Sequence, residues 1–219
     1  LPRVLDRFSN VRSLDFSTNG RLAVISADSE GQNDLFLLSS RRDRVRRLTN
    51  DIHDDLDPAF IPNSNAVVFS SNRTSDTLNL RKEIQFDQFT DNFNLFIYNL
   101  DTTKNLLQRV TNTLSKNYAP VAVDDYNFVY LSDQRGIINL FRYNRQNGIY
   151  SQLTNLSSNI KGYDINLRNN TMAVINDKTL RENIYLSSFN LERQIFTPAT
   201  RRKELQQVRV IRERRKQEE

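Results

Sequence analysis

Residues 57–73 read Asp57-Pro58-Ala59-Phe60-Ile61-Pro62-Asn63-Ser64-Asn65-Ala66-Val67-Val68-Phe69-Ser70-Ser71-Asn72-Arg73. A short run ends in Phe60, turn chemistry follows at Pro62-Asn63-Ser64-Asn65, and a β-branched and aromatic run begins at Ala66. Pro and Asn favour a tight reversal, while Ala-Val-Val-Phe without polar alternation suits a strand covered on both faces. The stretch therefore reads as a β-hairpin with a buried second strand.

The same pattern recurs on either side. The buried strand returns as Leu22-Ala23-Val24-Ile25-Ser26, Phe128-Val129-Tyr130-Leu131-Ser132 and Met172-Ala173-Val174-Ile175-Asn176. Each is preceded by a polar turn, at Thr18-Asn19-Gly20, Asp124-Asp125-Tyr126-Asn127 and Arg168-Asn169-Asn170, and before it by a short strand at 12–16, 120–122 and 163–166. Downstream lies a third strand opened by Asn or Asp, at Asp34-Leu35-Phe36, Asn94-Leu95-Phe96, Asn139-Leu140-Phe141 and Asn183-Ile184-Tyr185. A closing landmark follows: Leu48-Thr49-Asn50, Val110-Thr111-Asn112, Leu153-Thr154-Asn155 and, degraded, Phe196-Thr197-Pro198, in steps of 62, 43 and 43 residues.

Four strands per repeat of about 43 residues is the period of a propeller blade. The expectation is an all-β fold: a β-propeller segment of four four-stranded antiparallel blades, with a C-terminal α-helix. The blades occupy approximately 9–50, 51–112, 113–155 and 156–198, and 199–219 forms a basic helical tail. Blade four is given an outer strand over 192–197. An extra outer strand at 3–8 then leaves two arrangements open, a closed four-blade ring or an arc of a larger propeller. Blade two carries a surplus at about Thr74 to Thr90: Arg73 and Asn94 are 21 residues apart, whereas Arg135 and Asn139 in blade three are four apart. An insertion in one loop of one repeat marks a candidate functional face.

The 57–73 stretch resembles the TolB-type, WD-repeat-like propeller repeat, in which a D-P-x-F-S-P-D-G turn leads into an apolar strand and an S-x-R ending, with a terminal L-T. Blade two departs at Ile61, Asn63 and Ser64. Blade three keeps Pro120, Ser132, Arg135, Gly136 and Leu153-Thr154; blade one keeps Phe16-Ser17, Asn19-Gly20 and Leu48-Thr49; blade four is weakest. The resemblance implies a periplasmic or cell-envelope protein that binds a protein or peptide partner. It also implies an alternative, because the same blades occur as substrate-gating propellers attached to peptidases, whose catalytic domain would then lie outside this chain.

Composition narrows the chemistry. The chain has 219 residues, no cysteine and one histidine, which removes thiolate metal sites, cysteine catalysis and any His/His zinc pair. No glycine pair among Gly20, Gly31, Gly136, Gly148 and Gly162 has the spacing of a Gly-x-Ser-x-Gly elbow, and no phosphate-cradling glycine loop is present. The net charge of +5 sits mainly in the tail, which holds eight basic and four acidic residues over 201–219 and leaves the body near +1. A nucleic-acid groove across the blades is not expected on that balance. No apolar run reaches the roughly 18 residues of a membrane span, and the amino end shows no signal-peptide core. The first residue, Leu1, suggests a processed or excised piece.

No residue is assigned a catalytic role, no cofactor or metal is expected, and the reading is that of a non-enzyme. A Ca²⁺ site in the Asp51, His53, Asp54, Asp55, Asp57 cluster competes with a structural role for Asp57 and solvated Asp54 and Asp55; its spacing fits no EF-hand loop. Loops after an outer strand and loops between second and third strands share one rim of a propeller. The candidate partner contacts are accordingly His53, Asp54, Asp55, Arg73, Asp133, Arg135 and Lys161, with the 74–90 insertion. In the tail, Leu205, Val208 and Ile211 make a narrow apolar stripe, the pattern of a linker or docking helix.

Overall fold

The structure, a computed structural model, describes residues 6–78, 91–178 and 181–218. Blade one is the sheet β1 (Asn10–Phe16), β2 (Leu22–Ser29), β3 (Gln32–Ser39) and β4 (Val45–Arg47). Blade two is β5 (Asp55–Phe60), β6 (Ala66–Ser71), β7 (Asn94–Asn99) and β8 (Gln108–Arg109). Blade three is β9 (Asn117–Ala122), β10 (Asn127–Ser132), β11 (Asn139–Asn144) and β12 (Ile149–Gln152). Blade four has three strands, β13 (Ile160–Asn166), β14 (Thr171–Lys178) and β15 (Arg181–Ser188), and α1 (Arg201–Glu218) follows. Every pairing within a blade is antiparallel and sequential. This is the four-blade propeller arrangement that the repeat indicates.

Each second strand carries an unbroken apolar run, at 22–25, 66–69, 128–131 and 172–175, because successive side chains leave the sheet on opposite faces and, in the inner blades, both faces meet a neighbour. Val67 and Phe69 of β6 pack with Val24 and Leu35 of blade one, whereas Val68 between them packs with Phe128 and Tyr130 of blade three. Val129 and Leu131 of β10 in turn meet Met172 and Val174 of blade four. The far face of blade one, with Ile25 and Phe36, is covered by Phe8 and Val11; the Phe8 and Phe36 ring centroids are 4.6 Å apart. On blade four the outward residues Ile184 and Leu186 are 71% and 81% exposed. Among the described residues no apolar cluster joins blade four to blade one.

The repeated threonine has a physical cause. The Thr49 hydroxyl accepts the Leu35 N–H at 3.0 Å and donates to Asp34 Oδ1 at 3.2 Å. Thr111 does the same with Leu95 N–H (2.8 Å) and Asn94 Oδ1 (3.0 Å), and Thr154 with Leu140 N–H (2.9 Å) and Asn139 Oδ1 (2.9 Å). Each clasp satisfies buried groups where the outer strand ends, contributing about 0.5–1.5 kcal/mol per bond. Serines in the second strands link the blades: Ser26 Oγ donates to Asp55 O and Ser70 Oγ to Asn117 O, at 2.7 and 2.6 Å. Along the axis, Asp15 Oδ2 accepts the Phe60 N–H (2.7 Å) and Asp57 Oδ2 the Ala119 N–H (3.1 Å).

Two expectations change. The outer strand expected over 192–197 is absent from blade four. Thr197 spends its hydroxyl on Gln152 Oε1 at 2.6 Å and leaves Asn183 unclasped, while Ile195 donates its N–H to Gln152 O at 2.9 Å. The segment therefore runs back along blade three as an isolated bridge. At the amino end, Asp6 and Arg7 form a turn and Phe8 a packing contact; the rest of the strand expected over 3–8 lies outside the described residues.

Candidate protein-binding rim

In a four-stranded meander the β2–β3 type loops and the loops leading to the next blade emerge at one end. That end carries residues 50–54, 72–78, 133–138 and the start of β13, and the inter-blade bonds of Ser26 and Ser70 hold it in place. All seven sequence-derived contact residues belong to it, but at different depths.

Arg73 and Asp55 lie beneath the surface and cannot meet a partner directly, which corrects their reading as contacts. The fully buried Arg73 guanidinium donates from Nη2 to both Asp55 oxygens at 2.7 and 2.8 Å, and from Nη1 to Asp51 Oδ2 at 3.0 Å. Nε reaches Ser71 Oγ at 3.0 Å, and the cation stands 5.9 and 5.8 Å from the Phe69 and Phe96 ring centres. Burial pulls its pKa down, yet Asp55 and Asp51 outweigh this and hold it above the ordinary value. Burial, seconded by Asp55, raises the Asp51 carboxyl despite Arg73. A buried arginine with two carboxylates organises this loop, so its role is structural.

The remaining cluster members separate. Asp51 Oδ1 accepts the His53 N–H at 3.1 Å, and Asn72 Oδ1 accepts the Asp54 N–H at 2.9 Å. His53 Nδ1 is buried without a hydrogen-bond partner, and desolvation lowers the imidazole pKa against the pull of Asp51. Asp54 is exposed, whereas Asp57 points to Ala119 of blade three. The carboxylates of the cluster thus serve different partners, and among the described residues no three His, Asp or Glu side chains converge as a metal site.

Asp133 is half spent on the fold. Its Oδ1 accepts the Lys116 N–H and its Oδ2 the Lys203 ammonium, both at 2.8 Å. Lys203 is 3% exposed, so the first turn of α1 is nailed to this rim. Thr200 caps that helix: its hydroxyl accepts the Lys203 N–H at 3.4 Å, and its own N–H donates to Arg135 O at 2.9 Å. The apolar stripe beyond remains exposed, with Leu205, Val208 and Ile211 all facing solvent. The Arg135 side chain is also exposed. Lys161 lies 2.8 Å from Glu182 and 3.4 Å from Asp177, and the hydrogen bond to Glu182 raises its pKa.

The insertion leaves the rim at once. Thr77 bridges Leu106, Arg109 Nε donates to Asp76 at 2.6 Å, and Leu78 enters the core between blades one and two. Its start thus lines the outer edge of blade two; residues 79–90 lie outside the described residues.

No protein-family model and no curated protein matches the sequence. Among solved structures, TolB from Acinetobacter baumannii superposes with a TM-score of 0.65 at 14% identity over 85% of this chain and 42% of that one. The fold is that of the TolB-like β-propellers. A putative TolB from Agrobacterium tumefaciens gives 0.64 at 16% identity over 84% of this chain and 65% of that one. The chain therefore spans less than two thirds of either TolB structure. A puromycin hydrolase matches at 0.61 and 10% identity, over 84% of this chain and 28% of its own. The same arrangement thus recurs in part of a hydrolase chain. Among the described residues no helix is long and apolar enough to cross a membrane.

Proposed function

We propose that this chain is a non-catalytic, protein-binding propeller of the cell envelope or periplasm, with its partner on the rim carrying His53, Asp54, Arg135 and Lys161. The observation that carries the reading is the division of labour at that rim. Arg73, Asp51 and Asp55 are consumed in a buried network that fixes the loop backbone, which leaves Asp54, Arg135 and Lys161 exposed on rigid supports. Preorganised loops bearing both signs of charge suit a protein or peptide surface, where charge complementarity sets orientation and encounter rate. Likeness to the TolB structures supports the same reading at the level of fold.

The test is affinity capture with the intact protein and with Asp54→Arg, Arg135→Glu and Lys161→Glu, singly and together. Loss of the captured partner in the triple variant, at an unchanged melting temperature, is the expected result; undiminished capture would refute the rim assignment. Likeness to the puromycin hydrolase favours one second reading, a propeller that gates substrate for a peptidase domain elsewhere in the same protein. A hydrolase module encoded beside these blades in the complete gene would decide for it.

A further inference from the structure

At the opposite end of blade one the β1–β2 and β3–β4 turns flank an open cavity of about 750 Å3. Six arginines line it, Arg7, Arg21, Arg41, Arg42, Arg44 and Arg46, against one carboxylate, Asp43. The turns are laced together: Ser40 donates its N–H and hydroxyl to Arg21 O at 2.9 and 3.1 Å, and Arg44 its N–H to Arg42 O at 2.7 Å. Arg46 is held from behind, donating to Leu100 O at 3.1 Å and to the Tyr98 hydroxyl at 3.4 Å. Leu22, Leu38 and Val45 supply an apolar wall.

The neighbouring arginines behave otherwise. Arg12 meets Asp28, Arg47 meets Asp34 and Arg73 meets Asp51 and Asp55. Arg7, Arg21, Arg41, Arg42 and Arg44 have no carboxylate partner among the described residues. Gathering so many guanidiniums around one concavity costs repulsion and gives the fold nothing back, while a concave wall of one sign focuses the field on whatever enters. Guanidinium forks match phosphate oxygens in pairs, and the apolar wall strengthens those bonds by thinning the water around them.

We propose that this cavity binds a compact ligand bearing two or more phosphate groups, on the rim opposite the candidate protein-binding one. The chemistry fits a free oligophosphate or a phosphorylated lipid headgroup equally, so the experiment carries an arm for each. Calorimetry of the intact chain with tripolyphosphate, at about 50 mM salt where screening is modest, reads the first. Cosedimentation with phosphatidylcholine vesicles, with and without a phosphatidylinositol bisphosphate, reads the second.

The test variant is Arg41→Gln/Arg42→Gln/Arg44→Gln. Its control, Arg209→Gln/Arg212→Gln/Arg215→Gln, removes the same charge from exposed α1. The expected result is a loss of about tenfold or more in tripolyphosphate affinity for the first and less than about twofold for the second, with unchanged melting temperatures. Should the first variant unfold, Arg21→Gln on the other turn replaces it with the same expectation. Vesicle binding that needs the phosphatidylinositol bisphosphate and is displaced by tripolyphosphate makes a lipid headgroup the source; tripolyphosphate binding alone makes it a free anion. Equal losses in both triple variants would reduce the effect to bulk charge and overturn the proposal. So would the absence of tripolyphosphate binding by the unaltered chain.

Discussion

Replacing Asp34 with Asn separates the charge of the outer clasp from its geometry. Asp34 is fully buried, and burial raises its pKa to about 6 against the opposing pull of Arg47. The same position holds Asn94 in blade two and Asn139 in blade three, each accepting from its threonine as Asp34 accepts from Thr49. In the unfolded chain the carboxyl titrates near 3.8. Between the two values the folded state holds the proton that the unfolded state releases, so the Asp34 contribution falls as pH rises from about 4 through about 6. The full difference is about 3 kcal/mol, of which about 1.3 kcal/mol accrues between pH 5 and pH 7. The amide of the Asp34→Asn variant does not titrate. The stability of Asp34→Asn relative to the unaltered protein should therefore rise by about 1.3 kcal/mol from pH 5 to pH 7, which is about 3–5 °C in melting temperature for a chain of this size. At pH 7 the loss of Arg47's partner offsets part of the gain, so the slope is the quantity to read. Denaturant melts of both proteins across that range supply it, and a difference flat with pH would refute the account of Asp34 as a carboxylate buried at a cost.

Other substitutions test other joints. Tyr130 is buried between blades two and three with its hydroxyl unpartnered, and Tyr130→Phe should stabilise by about 1 kcal/mol in urea unfolding. Glu30 sits at φ 57 beside Gly31 at φ 80 in the β2–β3 turn, so Glu30→Asn should raise the melting temperature through about 0.5–1 kcal/mol. A Cβ on Gly136, at φ 96, would stand 1.9 Å from Thr200 Oγ1; Gly136→Ala should release the first turn of α1 and speed tryptic cleavage after Arg201 and Arg202 while the blades stay folded. Arg73→Gln strands Asp51 and Asp55 and should cost about 3–5 kcal/mol by chemical denaturation, with most of it recovered on adding Asp51→Thr and Asp55→Asn.

The blades were legible because strand burial and the threonine clasp impose residue types at fixed intervals. Val24, Val68 and Val129 fall in step since each must fill the space between its own sheet and the next, and Thr49, Thr111 and Thr154 since each ends an outer strand. The failure at 192–197 has the same origin: Phe196-Thr197 copies the letters of the motif, but the hydroxyl finds Gln152 nearer than Asn183. A two-residue match does not carry the distance that the clasp needs. The basic cavity escaped for another reason. A body charge near +1 is an average, and it conceals six arginines that two turns, the amino end and β4 bring to one concavity.

The rim residues show how far a repeat can be read. Arg73 and Arg135 lie 62 residues apart, and on sequence alone that repetition points to a structural role for both, with partner contact as the alternative. The registers Asp55↔Ser71↔Asn94 and Asn117↔Ser132↔Asn139 instead make Gln134 the counterpart of Arg73. The step of 62 carries Asp51 to Thr113 and Asp55 to Asn117. In blade two the pair of carboxylates draws the guanidinium inside. In blade three, Asn117 Nδ2 donates to Thr113 Oγ1 at 2.7 Å, and the Asn117 side chain also reaches Asn94 and Ser132, which satisfies the pocket without a cation. Gln134 stands at the offset of Arg73, its N–H donating to Ser132 Oγ at 3.2 Å as that of Arg73 does to Ser71 Oγ at 3.4 Å, and Arg135, one residue on, is exposed. Reading Asp51, Asp55 and Arg73 as one unit, against Thr113, Asn117 and Gln134, explains why blade two buries a cation at this point and blade three needs none.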